Sequence, residues 1–416
     1  MPARSTGLLH SVGFKCALAL FFLRFSDLHE MLASLTNTSA YLLYVFAPLA
    51  ILAVIFSGRV ARVFRERPAQ FWLAFVVWMI LAVPLSSWRG GSFTHVLSYV
   101  KSNFILLPLI ASLATKWSDC RKIIYIIAAA AVFDLAASYF FLKSTGDRLE
   151  LQWSGTIGNS NDLAAHLLVV LPFLLFVALK PRTRLLFRFA LFAAIAFGAF
   201  QILRTGSRGA LIALVATILF MLVRGSNHQK LVVGVAAVAL VIMTAFLPDA
   251  TWTRLTSFSK TGDASEEAMQ SSDLRQRALQ ESIAFTLQHP LFGVGPRQFP
   301  SYEGITMSKL GKRGNWLETH NSYTEVSSEC GIPALIFYLA AMLSTFALLA
   351  KIRKHAVGPH RKEIVTAAFC ISLALFAYSV ATFFVNFAYQ FQFLAISGLV
   401  VAMWITVRND RRRSDD

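Results

Sequence analysis

The chain has 416 residues, of which 56% are hydrophobic, and a formal net charge of +17. With a mean hydropathy of +0.58 it is not a soluble enzyme, because apolar runs long enough to cross a bilayer recur along almost the whole length. The charge does not point to nucleic acid, since Lys and Arg sit in short clusters between apolar runs, as cytoplasmic loops do.

Hydropathy predicts an all-α polytopic membrane protein of about twelve transmembrane helices. In chain order they fall near residues 8–25, 39–57, 70–87, 94–115, 122–142, 162–180, 185–203, 208–223, 230–248, 330–350, 363–384 and 387–407. The first is the weakest, because Lys15 interrupts it and Arg24 closes it. No small-residue cleavage site stands out after it, so it reads as a membrane helix and not a removed leader.

One set of connections carries the basic residues: Arg59, Arg62, Arg65 and Arg67; Lys116, Arg121 and Lys122; Lys180, Arg182, Arg184 and Arg188; Arg224 and Lys230. Lys351, Arg353, Lys354, Arg361 and Lys362 follow, then the tail with Arg408 and Arg411 to Arg413. The alternate connections are poorer in them. The positive-inside rule therefore puts both termini in the cytoplasm. The expected organisation is helices one to nine over 1–248, a large periplasmic loop with short helices over 249–329, and helices ten to twelve with a basic tail over 330–416. Cys16, Cys120, Cys330 and Cys370 are scattered without metal-ligand spacing and read as small apolar residues in or beside helices.

Within the spans, Lys101 and Asp134 are unusual. They either pair with each other, or Lys101 joins an anion site near the outer face. Gly158-Asn159-Ser160-Asn161-Asp162 precedes span six; a helix cap is the default reading, and a sugar-binding loop through Asn159 and Asn161 is the other. Arg208, in Thr205-Gly206-Ser207-Arg208-Gly209-Ala210, opens span eight on the outer side. An arginine there is on the wrong end for the helix dipole. It either snorkels to headgroups or holds a phosphate beside the helix's free N–H groups.

The 249–329 loop is no general anion sponge. Up to His320 its eight cations (Arg254, Lys260, Arg275, Arg277, Arg297, Lys309, Lys312, Arg313) meet eight acids (Asp249, Asp263, Glu266, Glu267, Asp273, Glu281, Glu303, Glu318). Any anion site must come from a few placed arginines. Ser271-Ser272-Asp273 caps a predicted helix through Leu274, Leu279, Ile283 and Leu287, expected along the membrane surface. It carries Arg275 and Arg277, ends at His289-Pro290, and leads through the turn Gly293-Val294-Gly295-Pro296 to Arg297. Each arginine is read either as solvated or as a fork for diphosphate oxygens.

His320, in His320-Asn321-Ser322-Tyr323, stands directly before span ten and suits general-base work near neutral pH. Glu325 and Glu329 share a helix face behind it, where they either orient the imidazole or bind sugar hydroxyls. No Gly-rich GKS or GKT loop, HExxH, Gly-x-Ser-x-Gly elbow or outer Asp-x-Asp pair is present, and no metal site is expected.

The motifs Thr205–Ala210, His289-Pro290-Leu291-Phe292-Gly293-Val294-Gly295 and His320–Tyr323, in that order, resemble the O-antigen ligase/polymerase superfamily. The Gly158–Asp162 loop does so too, and the resemblance extends over roughly residues 155–345. It implies a metal-independent inverting glycosyltransferase in the bacterial inner membrane with its active site facing the periplasm. The implied donor is a glycan on undecaprenyl diphosphate, and no cofactor is implied. By position, Arg208 and Arg275 match the family arginines that hold the diphosphate and His320 the histidine that activates the acceptor hydroxyl. Arg297, Arg277 and Lys101 are further diphosphate candidates; Asn321, Tyr323, Glu325, Glu329, Asn159 and Asn161 are supporting or sugar-binding ones. One large loop favours ligation onto lipid A–core oligosaccharide. The alternatives are O-antigen or exopolysaccharide polymerisation, with a growing glycan as acceptor, and, in a different class, a lipid-linked glycan transporter.

Overall fold

The computed structural model describes residues 2–38, 41–145, 148–151, 155–157, 159–225, 234, 238, 241–256, 266–311, 314 and 316–415. The all-α expectation holds, with one exception: a hairpin of β1 (Leu142–Thr145) and β2 (Arg148–Leu151), paired antiparallel with Leu142 opposite Leu151. Among the described residues nine helices are long and apolar enough to cross a membrane. These are Gly7–Phe25, Arg67–Leu85, Arg89–Leu113, Trp117–Phe140, Ser160–Ala178, Leu185–Arg204, Ser322–His355, Arg361–Ala381 and Gln392–Arg412.

Two more of the expected spans are present as shorter helices, Leu42–Ser57 and Arg208–Arg224. The remaining expected span, the ninth in chain order near 230–248, lies partly outside the described residues.

In chain order the helices are α1 (Pro2–Phe25), α2 (Leu28–Thr36), α3 (Leu42–Ser57), α4 (Val60–Val63), α5 (Arg67–Ala82), α6 (Arg89–Tyr99), α7 (Leu106–Leu113) and α8 (Trp117–Phe140). After the hairpin come α9 (Ser160–Ala178), α10 (Leu185–Arg204), α11 (Arg208–Arg224), α12 (Asp249–Thr256), α13 (Glu266–Gln288), α14 (Phe299–Lys309), α15 (Ser322–His355), α16 (Arg361–Ala381) and α17 (Gln392–Asp415). The bundle is centred on α9 and α17, which are the most enclosed, whereas α10 lies at the rim. Polar groups inside the bundle satisfy one another, as an apolar surround requires: Trp72 Nε1 donates to Ser397 Oγ at 3.1 Å, and Ser397 meets Thr345 Oγ1 at 3.2 Å.

The contacts divide the connections into two groups, in agreement with the charge pattern. At one end Glu363 accepts from Trp117 and Arg121 and pairs with Lys180, and Arg408 pairs with Glu66 at 2.7 Å. At the other, Glu30 meets Thr156. The loop helices α12 to α14 belong to this second end, together with Arg208 and the start of α9.

Two expectations about the loop need correction. The arginine helix begins at Glu266, so Ser271-Ser272-Asp273 lies inside α13 and does not cap it. Helix α15 begins at Ser322, eight residues before the expected start of span ten, and is broken at Gly331 (φ 84°). That break is the structural key to the loop. A helix kinked there leaves the carbonyls of its last turn without their i+4 donors. The turn after His289 supplies replacements: Val294 N–H donates to Ser328 O at 2.8 Å and Gly295 N–H to Glu329 O at 2.9 Å. Trp78 Nε1 reaches Cys330 O and Leu291 O, both at 3.1 Å. Backbone meets backbone so closely that a Cβ on Gly331 would stand 2.1 Å from Leu291 O, and one on Gly293 2.3 Å from Glu329 C. Both glycines also hold positive φ, so neither position tolerates a side chain.

Candidate functional site

The turn locked onto the kink delivers Arg297 to three carboxylates. Arg297 adopts φ 62°, and its N–H donates to Glu329 Oε2 at 2.6 Å. Its guanidinium bonds Glu325 Oε1 through Nη1 at 3.1 Å and Glu318 Oε1 through Nη2 at 3.0 Å. Glu329 also accepts from Phe299 N–H at 3.2 Å and from the Tyr389 hydroxyl, and Glu325 from Ala388 N–H at 3.3 Å. Asn386 donates to the other oxygen of Glu318. Burial works against charge on Arg297, but Glu325, Glu329 and Glu318 outweigh it and raise its pKa above the usual arginine range. This set is a hydrogen-bonded clamp of loop, α15 and the 382–391 segment, in which one guanidinium serves three carboxylates. The two buried glutamates behind His320 have their reason for entering the bundle here: they hold Arg297 and its turn.

A second arginine group is built differently. Ser207 caps α11, its Oγ accepting from Ala210 N–H at 3.3 Å, and this sets Arg208 in the first turn. Gly206 takes φ 63° in the turn before it, and Gly209 lets Phe384 pack against the helix, since a Cβ there would lie 2.4 Å from Phe384 Cβ. Arg208 Nε donates to Arg254 O at 2.8 Å, which ties α11 to α12. Arg275 on α13 faces the same point. Burial, Arg254 and Arg208 together push its pKa below the usual arginine range. Arg254 is itself only 9% exposed, and its Nη1 is buried with no hydrogen-bond partner among the described residues. Three guanidinium groups thus converge, and the charges recorded acting on Arg275 are those of Arg254 and Arg208.

Such a cluster is unfavourable unless an anion sits among the groups, and forked guanidinium donors match phosphate oxygens. The choice between Arg275 and Arg277 follows from geometry: Arg275 is half-buried toward the cluster, while Arg277 is exposed and lies near Glu281. Sequence reasoning missed Arg254. It is one of eight cations in the loop, and only the packing of α12 against α11 distinguishes it.

His320 lies in sequence between Glu318 and Glu325 of the clamp and has φ 49°, a left-handed conformation uncommon for a residue with a Cβ. Its neighbour Asn321 is the cap of α15, its Oδ1 accepting from Tyr323 N–H at 2.9 Å and Thr324 N–H at 3.1 Å. Tyr323 is anchored through its hydroxyl to Ser379 O at 2.7 Å, and Ser322 Oγ to Val385 O at 2.7 Å. His320 therefore sits on a rigid helix start. Asn159 is likewise the cap of α9, accepting from Asn161 and Asp162 N–H, both at 3.0 Å. Asn161 follows it in the first turn, and Asp162 is close enough to feel Glu318 and Arg297, which brings this loop to the carboxylate clamp. Gly158 lies outside the described residues. Lys101 is exposed on a single π-turn, Val100–Phe104. The expected Lys101–Asp134 pairing is not found: Asp134 bonds His166 Nε2 at 3.2 Å.

Fold and site together define a multi-pass membrane protein with a cluster of three arginines and a histidine at one end of the bundle. Residues 193–339 match the O-antigen ligase family model (Wzy_C), and that segment spans the motif set from Arg208 to His320. The matched family is one of glycosyltransferase-like enzymes of glycan and polysaccharide assembly, and the match supports a function of that kind here. No curated protein sequence matches the chain. A solved structure similar to it is described as "Structural coordination of polymerization and crosslinking by a peptidoglycan synthase complex"; it is 16% identical, aligned over 83% of this chain and 97% of that one, with a TM-score of 0.44.

Proposed function

We propose that the chain is a metal-independent inverting glycosyltransferase that moves a glycan from undecaprenyl diphosphate to an acceptor hydroxyl at the periplasmic face. The observation that carries this reading is the convergence of Arg208, Arg254 and Arg275 with an unmet buried donor on Arg254. Guanidinium groups gathered in this way suit the oxygens of a diphosphate.

In the reaction the acceptor oxygen attacks the anomeric carbon from the face opposite the diphosphate, and the bond from that carbon to the phosphate oxygen breaks with its electron pair. His320 takes the acceptor's proton. The arginines hold the charge that grows on the leaving polyprenyl diphosphate, which is worth most at the transition state. The Arg297 clamp fixes the turn and the start of α15, so that His320 keeps its position as the charge moves. Both termini are assigned to the cytoplasm, because the basic connections gather at the end opposite the arginine cluster.

Ligation onto lipid A–core oligosaccharide is favoured over polymerisation because a single large loop, 249–329, overlies the site. Purified protein in liposomes, given a polyprenyl-diphosphate glycan and a core acceptor, should release polyprenyl diphosphate as glycan appears on the core with inverted anomeric configuration. Movement of the donor across the bilayer without any transfer would instead make the chain a transporter, and elongation of the donor glycan would make it a polymerase.

A further inference from the structure

Away from the arginine cluster, the junction of α1 and α2 gathers three side chains of another kind. Asp27 is buried between the helices, and His29 and Glu30 follow in the first turn of α2. One ligand atom from each lies within 4.8 Å of the other two. The carboxylates of Asp27 and Glu30 approach to hydrogen-bonding distance, which two ionised carboxylates do not choose unaided. Arg24 lies close enough for its charge to act on both.

The surroundings of each group are those of a ligand. His29 Nδ1 lies 3.0 Å from Leu23 O. A carbonyl only accepts, so Nδ1 carries the proton, and in the neutral ring Nε2 presents a lone pair. That lone pair faces Glu30 Oε1 at 3.7 Å, too far for a hydrogen bond and close to the span of two cis ligands about one metal ion. Histidines that bind metal usually fix their other nitrogen on a backbone carbonyl in this way, and ligating carboxylates are themselves hydrogen-bonded. Glu30 meets that condition: Thr156 donates to Oε1 from its hydroxyl at 2.8 Å and to Oε2 from its N–H. The turn can approach so closely because residue 155 is glycine; a Cβ there would lie 1.9 Å from Glu30 Oε2.

We propose that Asp27, His29 and Glu30 form a binding site for one divalent transition-metal ion of the zinc class, which fastens the α1–α2 junction to the 155–157 turn. One imidazole nitrogen and two carboxylates favour such an ion over magnesium or calcium, which take oxygen ligands alone. The role is structural. The site lies outside the reaction assigned to His320 and the arginines, and it steadies the segment that leads into the Asn159 cap of α9.

Tag-free, full-length protein in detergent, stripped with chelator, is titrated with ZnCl2 by calorimetry and, separately, with CoCl2 by visible absorption. One saturable equivalent is expected, and its occupancy should raise the melting temperature by several degrees. His29→Ala should weaken zinc binding at least tenfold, whereas His355→Ala should bind as wild type does. Because Asp27 and Glu30 variants risk the fold, His29→Gln serves as the second variant, with folding checked by size-exclusion profile. Zinc binding that His29→Ala and His29→Gln leave unchanged would overturn the proposal, as would the absence of any saturable equivalent or displacement of zinc by millimolar magnesium.

Discussion

Two arginine environments lie on the same face of this molecule and differ in sign. Around Arg297 the neighbours are Glu318, Glu325 and Glu329, and every nitrogen contact described ends on a carboxylate. Around Arg275 the neighbours that set its charge are Arg254 and Arg208. In the first arrangement every described contact of the guanidinium is to a carboxylate, and we assign it the holding of structure. The second gathers like charges, and the function proposed above assigns it an anion as its partner. Residue type is the same in both, and what separates a ligand-binding arginine from a structural one is the charge of what faces it.

Substitutions break this comparison in graded ways. The largest effect belongs to neither cluster: His320→Ala should lower the turnover of glycan transfer by about 10³-fold, within the usual range for loss of a general base, while donor binding stays near wild type. Single-turnover kinetics with a labelled donor separate the two terms. Arg297→Ala comes next, and its effect is on the fold. It strands buried carboxylates, which costs about 3–5 kcal/mol, and should appear as a lowered melting temperature in detergent. Arg297→Ala combined with Glu325→Gln should recover part of that loss, because one stranded charge is gone.

Arg275→Ala should act the other way round. It should weaken donor binding roughly tenfold to a hundredfold, the worth of about 1.5–3 kcal/mol for charge-assisted hydrogen bonds, and leave the ligand-free protein at least as stable as wild type because a mutual repulsion is relieved. The smallest effect is expected at Arg277, which is exposed: Arg277→Ala should change stability by less than about 0.5 kcal/mol and leave donor affinity unaltered.

The membrane helices were legible in the sequence because apolar length and loop charge are local properties. The motifs around Arg208, His289–Gly295 and His320 were legible for a related reason, as each is a cap or a turn written in a few adjacent residues. What the chain did not disclose is how those pieces close on one another. Glu325 and Glu329 pointed equally to a histidine partner or a sugar, and the docking of the 293–297 turn onto the Gly331 kink turns them toward Arg297. Arg254 had no local mark at all; its standing comes from the contact of α12 with α11. The α13 apolar residues Leu279, Ile283 and Leu287 were read as one face of a surface helix, and all three are exposed while Ala278, Ser282 and Phe285 pack inward. That division fits a helix lying along a membrane surface, whose outward apolar residues meet lipid.

The most direct test concerns Arg254, since removing its side chain leaves the backbone carbonyl that Arg208 uses in place. Equilibrium binding of undecaprenyl diphosphate to wild type and to Arg254→Ala, with melting temperatures measured alongside, isolates the cluster as an anion site. The account predicts at least tenfold weaker binding with no loss of thermal stability. Equal affinity for the two proteins would contradict it, and would leave the three converging arginines without the diphosphate assigned to them.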